Sequence, residues 1–204
     1  MRRQMADREE FLPVMPFFEN VLKKLSMAGA LIIDPCDLPS AEQLQEVRSS
    51  VFRTEFKAAL NTFLKENGSP SGIDSMESLI AWNETHPEFI PYGQSLLIAS
   101  NQTKGIDDAQ YQLDRARDIS LTVTAGIDAA MDMFDVDVLM VPMGAAAKLT
   151  GKSGAPVIAI PCGMGPDLTP FGVTIIAKSG DDARLLAIGH QIELVVGERK
   201  IPVI

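Results

Sequence analysis

The sequence predicts an α/β protein in which a mixed sheet is flanked by helices, built as a single domain over residues 1–204. Apolar residues recur at helical spacing through the first two thirds of the chain, up to Phe134. Beyond Phe134 the pattern changes to three continuous apolar runs, which are typical of strands buried on both faces. With 46% hydrophobic and 22% charged residues, the chain has the composition of a packed globular domain, and it contains no internal repeat and no linker.

The residue pattern of the N-terminal part predicts one helix followed by one strand. Pro16 suits the first position of a helix, and Gly29 is a typical helix end. The apolar face of the helix between them is formed by Phe18, Val21, Leu22, Leu25 and Ala28. The short apolar run Ala30–Asp34 then predicts a strand, which Pro35 ends.

A long helix is predicted next, from Ser40 to Leu64. Ser40 and Gln43 have the spacing of a capping box. Apolar residues then keep helical spacing over about six turns of ~3.6 residues, namely Leu44, Val47, Val51, Phe52, Phe56, Leu60, Phe63 and Leu64. The turn-forming residues 67–72 are expected to follow as a loop.

The middle of the chain predicts a short helix, an irregular stretch and the longest helix. Asp74 and Glu77 are expected to cap the short helix, and residues 87–105 to be irregular. The longest helix is expected from Asp107 to Phe134. An early part of this helix is predicted to be more exposed to solvent, because it carries the charged residues Asp114, Arg115, Arg117 and Asp118.

Three strands and a final helix are predicted to form the core. The strands are Val136–Val141, Ala155–Ile160 and Phe171–Ala177, and the helix is Asp182–Val196, ended by Gly197. Continuous apolar strands require cover on both faces, and we expect the longest helix to cover one face of this sheet and the final helix to cover another part. Residues 201–204 predict a last short strand.

The charge and the cysteine content limit the class of protein. The net charge is −9, so no basic patch could neutralise phosphates, and neither nucleic acid nor an anionic membrane is expected as a partner. No apolar run approaches the ~20 residues that span a bilayer, and the charged first ten residues do not resemble a signal peptide. Cys36 and Cys162 form no CxxC motif, so a reduced, cytoplasmic location is expected.

Metal and phosphate sites are not predicted. His86 and His190 lie far apart in the sequence, and neither has a nearby Cys or His partner. Gly151-Lys152-Ser153 resembles the end of a phosphate-binding loop, but Ala146 stands where that motif needs a glycine, and a strand rather than a helix is expected to follow.

The remaining reactive residues have simpler structural explanations. Cys162 follows a predicted strand and could face a cleft, but it has no evident base, and a small residue at a tight turn is the favoured interpretation. Asp181 and Asp182 stand at a helix start, where carboxylates are stabilised by the helix dipole. The residues by themselves therefore predict no catalytic set and no cofactor.

Four short motifs after Phe134, in order and at natural spacing, resemble the C-terminal half of amidase-signature enzymes. Met133–Pro142 (MFDVDVLMVP) resembles the family strand x-x-D-x-L-L-x-P, and Gly154–Gly163 (GAPVIAIPCG) is similar to G-x-P-x-x-x-x-P-x-G. Pro170–Ile176 matches P-x-G-x-x-x-x, and Asp182–Leu186 with a later Glu193 matches the closing helix. Upstream, the resemblance extends to Phe17–Pro35, Thr54–Lys57 and Pro91–Gln94, and it thus covers Phe17 to Ile204.

The resemblance implies hydrolysis of carbon–nitrogen amide bonds by a Ser–Ser–Lys set, with the backbone of a Gly/Ser-rich loop as the oxyanion hole. That loop belongs to the N-terminal half of the family, and no similar stretch occurs here, since Ser49-Ser50 is followed by Val51. No catalytic residue can be assigned. The resemblance implies substrate contacts at two turns after buried strands, formed by Met143, Gly144, Cys162, Gly163 and Met164, although Met143 replaces a common Thr.

Two functional interpretations remain open. In the first, the chain is the C-terminal segment of an amidase-like hydrolase. It is inactive alone and binds a small-molecule amide substrate once the missing half completes it. Alternatively it is a non-catalytic binding or scaffold protein derived from an amidase, or a truncated gene model. In either case a sheet that lacks some of its strands would expose an edge, so a second copy of the chain or a partner chain is expected to cover it.

Overall fold

The structure, a computed structural model, describes residues 11–68, 71–165, 169–197 and 199. The chain divides into two compact units. Unit 1 comprises Met1–Glu46 and Ile119–Ile204, and unit 2 comprises Val47–Asp118. The single domain over residues 1–204 stays a prediction, and the last strand predicted at residues 201–204 lies outside the described residues.

The helices and strands follow one another in a mixed α/β order. In chain order they are α1 (Met15–Met27), α2 (Ala41–Glu46), α3 (Val51–Asn67), α4 (Met76–Thr85), α5 (Ser95–Asn101), α6 (Ala109–Ile119), a π-helix (Ser120–Ile127), α7 (Asp128–Phe134), β1 (Leu139–Pro142), α8 (Ala147–Ser153), β2 (Val157–Met164), β3 (Pro170–Ile176) and α9 (Asp182–Val196). In the described part of the chain, no helix is both long enough and apolar enough to cross a membrane.

Unit 1 is built around a sheet in which β3 lies between β1 and β2. Both pairings are antiparallel, and Ile176 of β3 stands opposite Leu139 on one side and Val157 on the other. The α/β class with helices against a sheet is confirmed, and the three predicted strands are present. Where a mixed sheet was expected, the described strands pair only antiparallel.

Two apolar clusters cover the two faces of the sheet. Cluster A joins α1 and α9 to one face, through buried residues that include Phe18, Leu25, Val173, Ile175 and Leu185. Cluster B joins the π-helix and α7 to the other face, through Ile127, Met131, Leu139, Val141 and Ile176. The prediction that both faces are covered by helices holds for β1 and β3, since alternate side chains enter opposite clusters.

Strand β2 departs from the prediction of burial on both faces. Ile158 and Ile160 face cluster A, but Val157 is 45% exposed and Ala159 is also exposed. The reason is position, because β2 is an outer strand of the described sheet and cluster B reaches only its N-terminal neighbour Ala155. An apolar run thus does not reveal whether both of its faces find a partner.

The strand predicted at Ala30–Asp34 does not form. Helix α1 ends as expected at Gly29, whose φ of 99° is suited to glycine, and the Ala30 N–H donates to the Leu25 carbonyl at 3.0 Å. The residues that follow are apolar and irregular, and Leu31 is 84% exposed. A strand requires a neighbour to pair with, and no described strand lies against this segment.

The helix predicted from Ser40 to Leu64 is two helices, α2 and α3, with a break at residues 47–50. The Ser50 N–H and Oγ donate to the Asp114 carboxylate at 2.9 and 2.8 Å, and the Ser49 Oγ donates to Asp118 at 2.6 Å. These side-chain bonds compete with the helical ladder and end it. The capping box is also wrong, because the Ser40 Oγ donates to the Leu121 carbonyl instead.

Unit 2 corrects two further predictions. The cap of α4 is Ser75 with Ser78, which form a reciprocal capping box, rather than Asp74 with Glu77. Residues 87–105 contain a 3₁₀ turn at Pro87–Phe89 and helix α5, so they are not wholly irregular.

The wetter region predicted at the start of the longest helix is buried on one side. Asp114 is 4% exposed and Asp118 is fully buried, because the two carboxylates accept the hydrogen bonds from the serine pair. The predicted helix 107–134 begins at Ala109 and widens into the π-helix from Ser120 to Ile127.

Candidate functional site

The two segments predicted to contact substrate lie at the same end of the sheet. Strands β1 and β2 both run antiparallel to β3, so they run parallel to each other on either side of it. Pro142 of β1 and Ile160 of β2 both stand opposite Val173. The residues that follow them in the chain therefore flank the N-terminal half of β3.

The first segment is a turn, as predicted, and the sheet fixes its shape. Met143 has a left-handed φ of 51°, which is unfavourable for a residue with a side chain. Its N–H donates to the Gly172 carbonyl at 2.9 Å, and its own carbonyl accepts from the Thr174 Oγ1 at 2.6 Å. Gly144 follows, and a Cβ there would meet no atom within 4 Å, so this backbone borders open space.

The second segment is not a turn, which corrects the sequence prediction. Cys162, Gly163 and Met164 continue β2, and Met164 pairs with Pro170. The register shifts between Pro161 and Gly163, so Cys162 is the extra residue of a β-bulge. Gly163 has a φ of 121°, and a Cβ there would also meet nothing within 4 Å. The bulge therefore gives a second stretch of accessible backbone beside the first.

The Cys162 side chain packs against cluster A and does not behave as an activated nucleophile. Burial raises the pKa of its thiol, and a hydrogen bond from the Val173 backbone and the charge of Lys24 only partly oppose this. The Sγ donates to the Ile160 carbonyl at 3.4 Å. The thiol is thus neutral near pH 7, so Cys162 has a structural role, although at a β-bulge and not at the tight turn that the sequence predicted.

Two residues of β3 that sequence reasoning did not assign hold these segments in place. Gly172 accepts from the Met143 N–H, and a Cβ on it would lie 2.7 Å from the Ile160 carbonyl oxygen, so only glycine allows this close approach of β2. Thr174 fixes the Met143 carbonyl. An isolated glycine inside a predicted strand was the signal for Gly172, whereas the role of Thr174 depends on pairing that no local pattern reveals.

The Ser49-Ser50 pair has a structural role. Both hydroxyls donate to buried carboxylates, those of Asp118 and Asp114. Burial alone would raise the pKa of Asp114, but hydrogen bonds from Ser50 and Gln110 and the charge of Arg117 hold that pKa below its usual range. An ionised carboxylate anchors a serine hydroxyl here, and among the described residues no lysine amine is hydrogen-bonded to either serine.

Among the residues that the structure describes, no group of three or more His, Cys, Asp or Glu is arranged to hold a metal ion. Gly151-Lys152-Ser153 ends helix α8 instead of preceding a helix, so the geometry of a phosphate loop is not present there. The arrangement at the sheet end can border a bound molecule with open backbone at Gly144 and Gly163.

Comparison with known proteins shows which proteins the chain is similar to. No family model matches the chain. Over 67 residues it is 36% identical to a glutamyl-tRNA(Gln) amidotransferase subunit of Bacillus cytotoxicus. Its fold is similar to native peptide amidase from Stenotrophomonas maltophilia, with a TM-score of 0.79, 24% identity and 93% of this chain covered. It is similarly close to an amidase family protein from Bacillus anthracis, with a TM-score of 0.78, 22% identity and 94% covered. The chain is similar to proteins of the amidase signature family.

The likeness is to the C-terminal part of these proteins. The sequence match spans 33% of this chain and 12% of the Bacillus cytotoxicus protein. The structural match spans 41% of the peptide amidase and 37% of the Bacillus anthracis protein. The chain thus spans less than half the length of the proteins it resembles, and the resemblance drawn from its four motifs is confirmed.

Proposed function

We propose that this chain is the C-terminal segment of an amidase-like hydrolase that acts on carbon–nitrogen bonds of small-molecule amides. In this proposal the chain contributes the sheet core and part of the substrate cleft, and the Ser–Ser–Lys set comes from polypeptide outside it. The observation that carries the proposal is the convergence of the Met143 turn and the Cys162 bulge at one end of an amidase-like sheet.

The proposed substrate contacts are Met143, Gly144, Gly163 and Met164, together with the Cys162 backbone. Open space beside the two glycines lets a bound amide approach the backbone, and the strained turn at Met143 is held by two hydrogen bonds to β3. Backbone conformations held against strain by their surroundings are common at functional sites. The chain alone is expected to bind weakly and to catalyse nothing.

A chimera tests this function. The part of the Stenotrophomonas maltophilia peptide amidase that the match does not cover is joined to this chain, and release of ammonia from a peptide amide is measured. We expect hydrolysis above that of either piece alone. A chimera that melts cooperatively but hydrolyses nothing, beside an active parent enzyme, would contradict the proposal.

A pair of variants of that chimera tests the substrate contact. Gly144→Leu adds an isobutyl group beside the proposed cleft, where there is open space, and should raise KM about tenfold, which corresponds to about 1.4 kcal/mol. Ala183→Leu adds the same kind of side chain at an exposed position of α9 and should leave KM unchanged. Equal KM values for the two variants would remove Gly144 from the cleft.

Location and assembly are further parts of the proposal. The absence of a CxxC pair and of a disulfide framework in the sequence supports a cytoplasmic location. The outer strands of the described sheet support association with a second copy or a partner chain when the isolated chain is purified.

A further inference from the structure

Helix α3 is held inside unit 2 by polar contacts along one of its sides. Helices α4 and α5 pack against this side. The Lys57 Nζ donates to two backbone carbonyls at and just beyond the end of α5, at 2.6 and 3.0 Å, and the Asn61 Oδ1 accepts from the Met76 N–H at 2.7 Å. Thr54, on the same side, is buried. The side of α3 that unit 2 encloses is therefore largely polar.

Three phenylalanines line the opposite side of α3. Phe52, Phe56 and Phe63 are 46%, 45% and 59% exposed. Together with Ala59, which is also exposed, they are spaced four, three and four residues apart, and this spacing places all four side chains on one stripe of the helix. The phenylalanine stripe is about 16 Å long at ~1.5 Å per residue. Large apolar side chains aligned on a solvent-exposed face indicate an interaction surface.

The spacing of the phenylalanine stripe is that of a short coiled-coil seam, and it suits an antiparallel pair of identical helices. In such a pair Phe52 would pack against Phe63 of the second copy. Phe56 would pack against Ala59 of the second copy, so that a large side chain meets a small one. Two-fold symmetry repeats both contacts. A parallel pair would place Ala59 against Ala59 and leave a gap at the centre of the seam.

The charges beside the phenylalanine stripe are compatible with this pairing. Arg53 and Leu60 flank the stripe on one side, and Glu55 and Thr62 flank it on the other. An antiparallel pair would bring Arg53 beside Leu60 of the second copy, and Glu55 beside Thr62, so no like charges would face each other. The helix carries three basic and two acidic residues, a net charge of +1, whereas the whole chain carries −9. Repulsion between two copies is therefore weak at this surface.

We propose that the phenylalanine stripe is the interface of a weak homodimer, in which α3 of one copy packs antiparallel against α3 of a second copy. At ~200 Å² for each phenylalanine, the exposed parts of the three rings amount to about 300 Å² per copy. Two copies with their flanking residues bury less than the ~1,200 Å² that is typical of stable complexes, so Kd should be on the order of tens of micromolar. This inference is independent of the proposed function, since none of its residues belongs to the proposed substrate contacts.

Sedimentation equilibrium of the whole chain, from about 1 to about 200 µM, tests the dimer. Phe56→Glu and Phe63→Glu should each raise Kd at least tenfold, because two-fold symmetry places two carboxylates in the apolar seam. The matched control is Leu113→Glu, the same kind of change at a 66% exposed position of α6, and it should leave Kd unchanged. Thermal melting of all three variants shows whether each is folded.

Disulfide formation tests the antiparallel register. The natural cysteines are first replaced, by Cys36→Ala and Cys162→Ala, and Phe52→Cys and Phe63→Cys are then made as two separate proteins. The two are mixed in the presence of oxidised glutathione. Positions 52 and 63 of different copies would lie within disulfide reach, whereas two copies of either position would lie about 16 Å apart. The mixed disulfide should therefore form at least tenfold faster than either disulfide between identical variants.

Three results would overturn the proposal. A chain that sediments as a monomer at every concentration would leave the phenylalanine stripe to a different polypeptide. Equal Kd values for Phe56→Glu, Phe63→Glu and Leu113→Glu, when all three melt cooperatively, would place the association at another surface, such as the outer strands of the sheet. Disulfides that form faster between identical variants would exclude the antiparallel pair. None of these measurements depends on amide hydrolysis, so the failure of the dimer and the failure of the proposed function are distinguishable.

Discussion

Gly126→Ala is expected to destabilise the chain, although alanine is normally the better residue inside a helix. Gly126 lies in the π-helix, which packs under β1 through cluster B. A Cβ at this position would lie 2.5 Å from the Leu121 carbonyl oxygen and 3.4 Å from the Ser40 Oγ. The same carbonyl accepts the Ser40 hydroxyl at 2.6 Å, so the new methyl group enters an occupied contact between backbone and side chain.

The magnitude follows from three effects. The 2.5 Å contact is roughly an ångström too close, and overpacking of a buried site costs about 1–3 kcal/mol. Displacing the Ser40 hydrogen bond costs about 0.5–1.5 kcal/mol. The higher helix propensity of alanine offsets about 1 kcal/mol. We therefore expect a net loss of about 2 kcal/mol in the free energy of unfolding, or roughly 4–8 °C in Tm for a chain of this size.

Thermal unfolding followed by circular dichroism measures the loss of stability, and two further variants serve as comparisons. Gly151→Ala, at an exposed position in α8, should raise stability by about 0.5–1 kcal/mol. Ser40→Ala removes the hydroxyl, and Gly126→Ala should cost less in that background because the two residues share the Leu121 carbonyl. A Gly126→Ala protein as stable as Gly151→Ala would mean that the wide turn of the π-helix is absent.

Four other outcomes are expected. The isolated chain should not hydrolyse simple aryl amides, and Cys162→Ala should leave that result unchanged, because burial raises the pKa of the thiol. Asp114→Asn should cost about 2 kcal/mol near pH 7. The folded pKa of Asp114 lies below the ordinary 3.8. The stability that its ionised carboxylate contributes is therefore complete above the unfolded pKa and is lost as the pH falls through the folded pKa. The difference in free energy of unfolding between the parent and Asp114→Asn, measured in urea, should shrink toward low pH. Ile158→Asp should cost several kcal/mol, because Ile158 packs on cluster A and against α9, whereas Val157→Asp, at a 45% exposed position, should cost less than about 1 kcal/mol. Light scattering should show association that increases with salt, because salt screens the repulsion of a net charge of −9.

Each of these expectations has a contrary result. Hydrolysis by the pure chain that disappears in Cys162→Ala would reveal a nucleophile at the bulge. A difference between the parent and Asp114→Asn that grows toward low pH would mean that the carboxyl is not ionised in the folded chain. Equal melting temperatures for Ile158→Asp and Val157→Asp would refute the assignment of Ile158 to the buried face of β2 and of Val157 to its exposed face. A compact monomer at low and moderate salt, with a sharp melt in both, would describe a self-sufficient domain.

The sequence determined the elements whose signals are local. Helices α1 and α9 follow from apolar spacing and from the glycines that end them, Gly29 and Gly197. The continuous apolar runs located the three strands, although β1 begins later than expected and β2 extends further, to Met164. The order of four motifs carried the resemblance to the amidase signature family, because the spacing between motifs is present in the sequence itself and needs no knowledge of contacts.

Tertiary structure decided the features that depend on residues far apart in the chain. The break at residues 47–50 exists because Asp114 and Asp118 accept hydrogen bonds from two serines more than sixty positions earlier. The Met143 turn and the Cys162 bulge are shaped by Gly172 and Thr174 of the strand between them. The apolar run at residues 30–34 has strand character but no described partner to pair with. Local sequence patterns indicate which secondary structure a segment is able to form. Hydrogen bonds and burial also require a partner segment, and the position of that partner is fixed only when the chain is folded.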